Sequence, residues 1–126
     1  MAYMDPAELP AGRGHLDPED RERLTRFDLQ VADRRFDEAQ ETVEDLWIEA
    51  TDAHKALYQG LSNALTAVCA REARQLRGAR EIAARSRTML APFPRHVLGI
   101  DLDALLESMD DFVERGEGPI LVLRQG

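Results

Sequence analysis

The sequence predicts an all-α fold, a single-domain bundle of about five helices with no significant sheet. Apolar residues recur every three or four positions through most of the chain, which is the spacing of one face of an α-helix. Capping residues, prolines and glycines separate these periodic segments where helices would begin and end. At 126 residues with 44% hydrophobic content, the chain is long enough for one domain with a sizeable core.

Start and stop signals set the boundaries of the predicted helices. Asp17 can cap a helix whose first residue is Pro18, because proline suits the first helical position. Pro92 ends the fourth helix, Asp101 caps the fifth, and Gly116 stops it. The predicted helices span residues 18–34, 37–50, 53–73, 76–91 and 102–115.

The apolar faces of these helices define the predicted core. Gly60 and Ala64 lie one turn apart on the buried face of the third helix, and such small residues would let another helix approach closely. The predicted core consists of Leu24, Phe27, Val31, Phe36, Val43, Trp47, Leu57, Leu61, Leu65, Val68, Ile82, Leu90, Leu105, Met109 and Phe112.

Both ends of the chain lie outside this bundle, which we assign to residues 17–118. Residues 1–16 contain prolines and glycines with few apolar side chains, and they predict a flexible N-terminal arm. Residues 119–126 form a short C-terminal tail with an apolar run. This tail should pack either on its own domain or on a second subunit.

Composition limits the classes of partner and the compartment. A net charge of −8 disfavours general nucleic-acid binding, because affinity for nucleic acid depends on neutralising phosphates. No apolar run approaches the ~20 residues that a membrane helix needs, and the first residues lack the features of a signal peptide. The single cysteine, Cys69, cannot form an internal disulfide, which fits a reducing compartment. We expect a cytoplasmic protein without a membrane partner.

Charge is unevenly distributed along the chain. Residues 71–95 carry a net charge of +5, between residues 19–55 at −6 and residues 101–126 at −5. Solvated faces that pair across neighbouring helices are the simplest interpretation. A weak anion-binding groove is the alternative, although such a row of arginines rotates by about 60° per step on a helix. The candidate groove residues are Arg71, Arg74, Arg77 and Arg80.

The second helix contains polar residues on or beside its apolar face. Gln40 lies within that face, Glu44 at its rim and Glu41 further round. A polar group in a core needs a hydrogen-bond partner, so these residues are either structural or part of a site. The candidate polar site comprises Gln40, Glu41, Glu44, Trp47, His54 and Gln59.

Signatures of metal centres and common enzymes are absent from the sequence. Glu38, Glu41 and Glu44 follow at intervals of three, but no histidine stands three residues after any of them, as a di-iron bundle would require. The chain also lacks a glycine-rich phosphate loop, a serine nucleophile elbow and a Cys-x-x-Cys motif. We therefore expect neither a metal nor a cofactor.

Several separated motifs carry a resemblance to a known family. The second helix reads Phe-x-x-Ala-x-Glu-x-x-Glu-x-x-Trp over residues 36–47, and Gln-Gly-Leu and Gly-Ala follow at 59–61 and 78–79. Pro-Phe-Pro at 92–94 and Gly-Ile-Asp at 99–101 complete the series. Over roughly residues 27–115 the chain resembles the Domain of Unknown Function 309 family of small helical bacterial and archaeal proteins.

That resemblance implies an all-helical fold, and it brings no established activity. Gln40 stands where the family has a histidine, Ala70 where it has a second one, and Arg74-Gln75 where it has Gly-Asn. These departures lower the expectation of a histidine-based catalytic or metal site.

Two functional hypotheses follow from the sequence. The first is a non-catalytic binding or interaction module that forms a homodimer or binds a protein partner, since no catalytic motif is present. The alternative is a small hydrolase or metal-assisted enzyme, with Glu41 or Glu44 as general base near Trp47 and with His54 as a partner. This alternative requires the side chains to converge within hydrogen-bond reach.

Overall fold

A computed structural model of the chain describes residues 5–50 and 52–115. Its helices are α1 (Pro18–Ala32), α2 (Phe36–Glu49), α3 (Asp52–Glu72), α4 (Leu76–Leu90) and α5 (Leu102–Arg115), with a short 3-10 helix at Pro6–Glu8. The predicted all-α fold is confirmed, and the predicted helices agree with these bounds to within two residues. The predicted C-terminal tail at 119–126 lies outside the described residues.

The caps proposed for the first and last helices are also confirmed. The Asp20 amide donates to Asp17 Oδ1 at 2.8 Å, and the Ala104 amide donates to Asp101 Oδ1 at 3.1 Å. Each bond satisfies one of the amides that a helix start leaves without an intrahelical acceptor.

The helices pack in chain order, each against the next, so that α3 lies between α2 and α4. Gly60 confirms the predicted close approach of a helix to α3: a Cβ at this position would lie 2.5 Å from Leu90 Cδ2. Ser86 of α4 also donates from Oγ to the Gly60 carbonyl at 2.7 Å. The glycine therefore brings the α4 side chains directly onto the α3 backbone.

The turns α1–α2 and α3–α4 have the same geometry, although no repeat is visible in the sequence. Arg34 (φ 60°) and Arg74 (φ 62°) are both left-handed. In the first turn, Arg35 N donates to Gln30 O at 2.8 Å; in the second, Gln75 N donates to Ala70 O at 2.9 Å. This is the Schellman motif, in which glycine usually occupies the left-handed position. The two hairpins are thus built alike although their sequences share little beyond the arginine at the left-handed position.

The N-terminal segment differs from the flexible arm that the sequence predicts. We call residues 5–16 the strap, because they lie across α1, α3 and the small hairpin before α5. Leu9 and Leu16 are buried in the core. Arg13 forms an ion pair with Asp28 at 2.8 Å and donates from Nε to the Leu98 carbonyl at 2.6 Å. Long-range contacts of this kind leave no local signal in the sequence.

The small hairpin consists of two-residue antiparallel strands, β1 (His96–Val97) and β2 (Ile100–Asp101). Gly99 in its turn has a φ of 74°, in the left-handed region that glycine adopts without strain. The Gly99 amide donates to the Ala11 carbonyl of the strap. So short a sheet agrees with the prediction of no significant sheet.

Most of the predicted core is confirmed. Phe36, Trp47 and Ile82 are the exceptions, since they are only partly buried and pack against the core from its edge. The remaining predicted core residues are buried, and the strap adds Leu9 and Leu16 to them.

Candidate functional site

Gln40 has a structural partner on the neighbouring helix. Its Nε2 donates to Thr66 Oγ1 of α3 at 2.7 Å. Thr66 in turn donates to the Ser62 carbonyl at 3.0 Å. The side-chain amide of Gln40, on the apolar face of α2, therefore has a hydrogen-bond partner on α3, as buried polar groups usually do.

The predicted polar site does not converge. Glu41 and Glu44 are exposed. The contacts Gln40–Thr66 and Asp37–Cys69 set an antiparallel register for α2 and α3. In that register Glu44 lies level with Ser62, which is about 12 Å along α3 from His54. Neither glutamate can therefore share a proton with His54.

The other two predicted site residues are half-buried. Trp47 Nε1 is buried and has no hydrogen-bond partner among the described residues. Gln59 is half-buried on α3. A polar ridge runs along this side of α3. On one side of it Thr66 contacts Gln40 of α2, and on the other side Asn63 contacts Met89 of α4. The ridge is formed by the half-buried residues Gln59, Ser62, Asn63 and Thr66.

On one side of the ridge, α2 presents an acidic face. Its exposed carboxylates are Asp37, Glu38, Glu41, Glu44, Asp45 and Glu49. Ile48 lies among them and is 73% exposed. Glu41, Glu44 and Asp45 form no ion pair within the described part of the chain. This helix therefore carries unneutralised negative charge around an exposed apolar side chain.

On the other side of the ridge, α4 presents an arginine face. Its exposed arginines are Arg77, Arg80, Arg85 and Arg87, of which Arg77 pairs with Glu81 of the same helix at 3.6 Å and Arg87 pairs with Asp110 of α5. A shallow groove of about 450 Å³ is lined by Leu76, Arg77, Arg80, Glu81 and Ala84. Leu76 is 50% exposed, so this basic face also contains an apolar patch.

The row of arginines predicted as an anion groove is divided between different environments. Arg71 is half-buried near the end of α3, with its guanidinium 5.5 Å from the centre of the Phe112 ring. Arg74 occupies the turn, while Arg77 and Arg80 belong to the outer face of α4. Because the helix breaks after Glu72, the four residues do not line one groove.

Two histidines come together in the structure, one from the strap and one from α3. His15 Nε2 of the strap lies 3.0 Å from His54 Nε2 near the start of α3. Burial lowers the pKa of His54, and the neighbouring His15 lowers it further. The two residues are 39 positions apart, so no local spacing could have indicated the pair.

Cys69 is held in its thiol form. Its Sγ donates to Asp37 Oδ1 at 3.5 Å. Burial raises the pKa of the thiol, and the hydrogen bond to Asp37 raises it further. Since the thiolate is the nucleophilic form, this environment opposes a catalytic role for Cys69.

Across residues 5–50 and 52–115, no group of three or more His, Cys, Asp or Glu side chains is arranged to hold a metal ion. None of the helices in this part of the chain combines the length and apolar composition needed to cross a bilayer. The chain matches no family model, no curated protein and no solved structure. Membership of the Domain of Unknown Function 309 family therefore stays a prediction.

Proposed function

We propose that this chain is a non-catalytic interaction module that forms a homodimer, with the acidic face of α2 against the arginine face of the partner's α4. The observation that carries the proposal is the placement of these oppositely charged faces on either side of the polar ridge of α3. Cytoplasmic localisation is part of the proposal, supported by the lone thiol of Cys69.

Twofold symmetry makes such a surface complementary to itself. In an isologous dimer, if patch A of one subunit contacts patch B of its partner, then patch B of the first subunit contacts patch A of the partner. With the axis through the ridge, α2 of each copy would meet α4 of the other, and both charged faces would be neutralised. A head-to-tail contact would leave one face of each kind uncovered at its ends.

Apolar side chains within the charged faces add to the expected affinity. Exposed ion pairs contribute little each, so charge alone would mainly orient the subunits. Ile48 on the acidic face and Leu76 beside the arginine face are both well exposed. Burial of these side chains in the dimer would supply a hydrophobic contribution of about 25 cal/mol per Å².

The enzyme alternative, with Glu41 or Glu44 as general base near Trp47, lacks support from the geometry. Both carboxylates are exposed, and His54 lies far from Glu44 along α3. In the proposed dimer, the same two glutamates would face arginines of the partner subunit, and this role does not require them to lie near His54. RNA or phosphate binding by the arginine segment is likewise disfavoured by the division of Arg71 and Arg74 from Arg77 and Arg80.

A charge-swap series tests the dimer. Glu41→Arg/Glu44→Arg and Arg77→Glu/Arg85→Glu should each yield monomers in sedimentation velocity runs, because like charges then face each other. An equimolar mixture of the two variants should form a heterodimer, and the quadruple variant should recover the homodimer. High salt, where the Debye length falls to about 3 Å at 1 M, should weaken the wild-type dimer.

Glu107→Arg/Asp111→Arg on α5 is the matched control. Both residues are exposed, and the change in net charge equals that of the α2 variant. This control should remain dimeric. A monomeric wild-type protein at low salt, or a dimer indifferent to both double variants, would refute the proposal.

A further inference from the structure

The contact between the strap and the start of α3 depends on protonation. His15 Nε2 and His54 Nε2 lie 3.0 Å apart, so one ring donates its N–H and the other accepts through a lone pair. This hydrogen bond requires at least one neutral ring. When both rings are protonated, two N–H donors and two positive charges face each other, and the contact is lost.

We propose that this histidine pair is a pH-sensitive latch, which holds the end of the strap against α3 at neutral pH and releases it in acid. Histidine is the side chain that ordinarily changes charge between about pH 5 and pH 8. Two adjacent rings titrate as a coupled pair, and the second proton binds at lower pH than the first because the charges repel. The latch therefore opens with the second proton, as the pH falls below the ordinary histidine pKa of about 6.5.

The rest of the strap is attached by interactions that involve no histidine. Leu9 is buried in the core, and Arg13 forms an ion pair with Asp28 at 2.8 Å. These contacts hold the strap in place as far as Arg13. Release is thus confined to residues 14–16, which lie between this anchor and the start of α1 at Pro18.

Charged groups face the pair from α1 and from α3. Asp20 of α1 and Asp52 of α3 interact favourably with positive charge on His54. Burial, and after it the neighbouring His15, outweigh them and lower the pKa of His54, which agrees with a neutral ring in the closed latch. Arg21 of α1 lies beside His15, since its Nη1 donates to the carbonyl of the next residue at 3.1 Å. This guanidinium adds to the positive charge that opens the latch.

The latch controls the exposure of a buried phenol. Tyr58 lies one helical turn after His54, on the same face of α3. Its side chain is only 2% exposed. Arg13 and Asp17, on either side of the released segment, act electrostatically on the Tyr58 hydroxyl, which places this group next to the end of the strap. Opening of the latch would therefore give solvent access to Tyr58.

The Leu16 amide reports on the latch, because it donates to the Arg13 carbonyl at 3.1 Å across the turn that contains His15. NMR measures its hydrogen exchange between about pH 8 and pH 5, relative to the intrinsic rate at each pH. We expect protection to fall roughly twofold to tenfold in acid, which corresponds to the loss of one hydrogen bond. The Leu98 amide, which donates to the Pro10 carbonyl, should keep its protection.

His15→Gln tests whether the imidazoles cause this change. Glutamine can still form a hydrogen bond with His54, but it does not titrate. Protection of the Leu16 amide should therefore be independent of pH in this variant. His96→Gln is the matched control, since His96 is exposed on β1 and forms no part of the pair. This control should keep the pH dependence of the wild type.

The hydrogen bond itself can be observed as a ¹⁵N–¹⁵N coupling between the two Nε2 atoms, present at neutral pH and lost in acid. Absence of this coupling at neutral pH would overturn the latch, as would a loss of Leu16 protection that is equal in His15→Gln and the wild type. Because His15 is exposed, His15→Gln should retain the helical circular dichroism of the wild type. The Glu41→Arg/Glu44→Arg variant should show the same latch as the wild type, so the dimer and the latch can fail independently.

Discussion

The hairpins α1–α2 and α3–α4 share a turn but are held together by different interactions. Between α1 and α2 the contact includes a buried polar pair, in which Thr42 Oγ1 donates to Gln30 Oε1 at 2.8 Å. Between α3 and α4 small residues predominate, and Ser86 Oγ meets the backbone carbonyl of Gly60. The same backbone connection thus tolerates a hydrogen-bonded interface and a close steric one. We therefore expect the stability of the first hairpin to depend on its buried hydrogen bond and that of the second to depend on side-chain volume at the helix contact.

The largest expected effect is steric, in the second hairpin. Gly60→Val should destabilise the fold by about 3 kcal/mol, because new atoms would meet the buried Leu90 side chain and force the helices apart. Gly78→Val on α4 is the matched control, since a Cβ at this position has nothing within 4 Å. Urea unfolding measures both, and equal losses for the two variants would remove the steric distinction between the hairpins.

The next largest effect concerns the polar pair of the first hairpin. Thr42→Val should cost about 2 kcal/mol, because Gln30 Oε1 would be left buried without its donor. The double variant Thr42→Val/Gln30→Leu should recover most of this loss, since replacing both partners by apolar groups is nearly neutral. A double variant whose free energy of unfolding equals the sum of the single losses would show that the two side chains are not coupled.

The turns should respond to glycine by smaller amounts that differ between the hairpins. Arg74→Gly should stabilise the protein by about 0.5–1 kcal/mol, because glycine adopts the left-handed conformation without strain. Arg34→Gly should gain less, since Arg34 also stacks over Phe36 at 5.4 Å and pairs with Glu72 at 3.3 Å. Thermal unfolding compares the two, and a larger gain at Arg34 would contradict this order.

The smallest effect is a dependence of the free energy of unfolding on pH, which comes from His54. This residue contacts His15 of the strap, and the strap lies against both hairpins. Because the pKa of His54 is lowered in the folded state, the unfolded state binds its proton more readily. Stability from this residue is therefore complete above the ordinary pKa of about 6.5 and declines as pH falls below it. His54→Gln should flatten the dependence of stability on pH in this range, as urea unfolding at a series of pH values would measure.

Some parts of the candidate sites were visible in the sequence and others were not. The amphipathic pattern of α2 places Gln40 on its inner face and Glu41 and Glu44 further out, as the structure shows. No pattern indicated that Thr66 would satisfy Gln40, because the two residues lie 26 positions apart. The Schellman turns were equally hidden, since arginine at a left-handed position carries no signal of the kind that glycine would.

The sequence by itself determined the helices, the caps at Asp17 and Asp101 and much of the apolar core within the helices, because helical periodicity and capping depend on residues within about four positions of one another. Tertiary structure alone decided that the strap would pack, that His15 would meet His54, and that the acidic and arginine faces would flank one ridge of α3. Each of these results joins segments that are distant in the chain. Such contacts are set by how whole helices pack, and local composition does not record them.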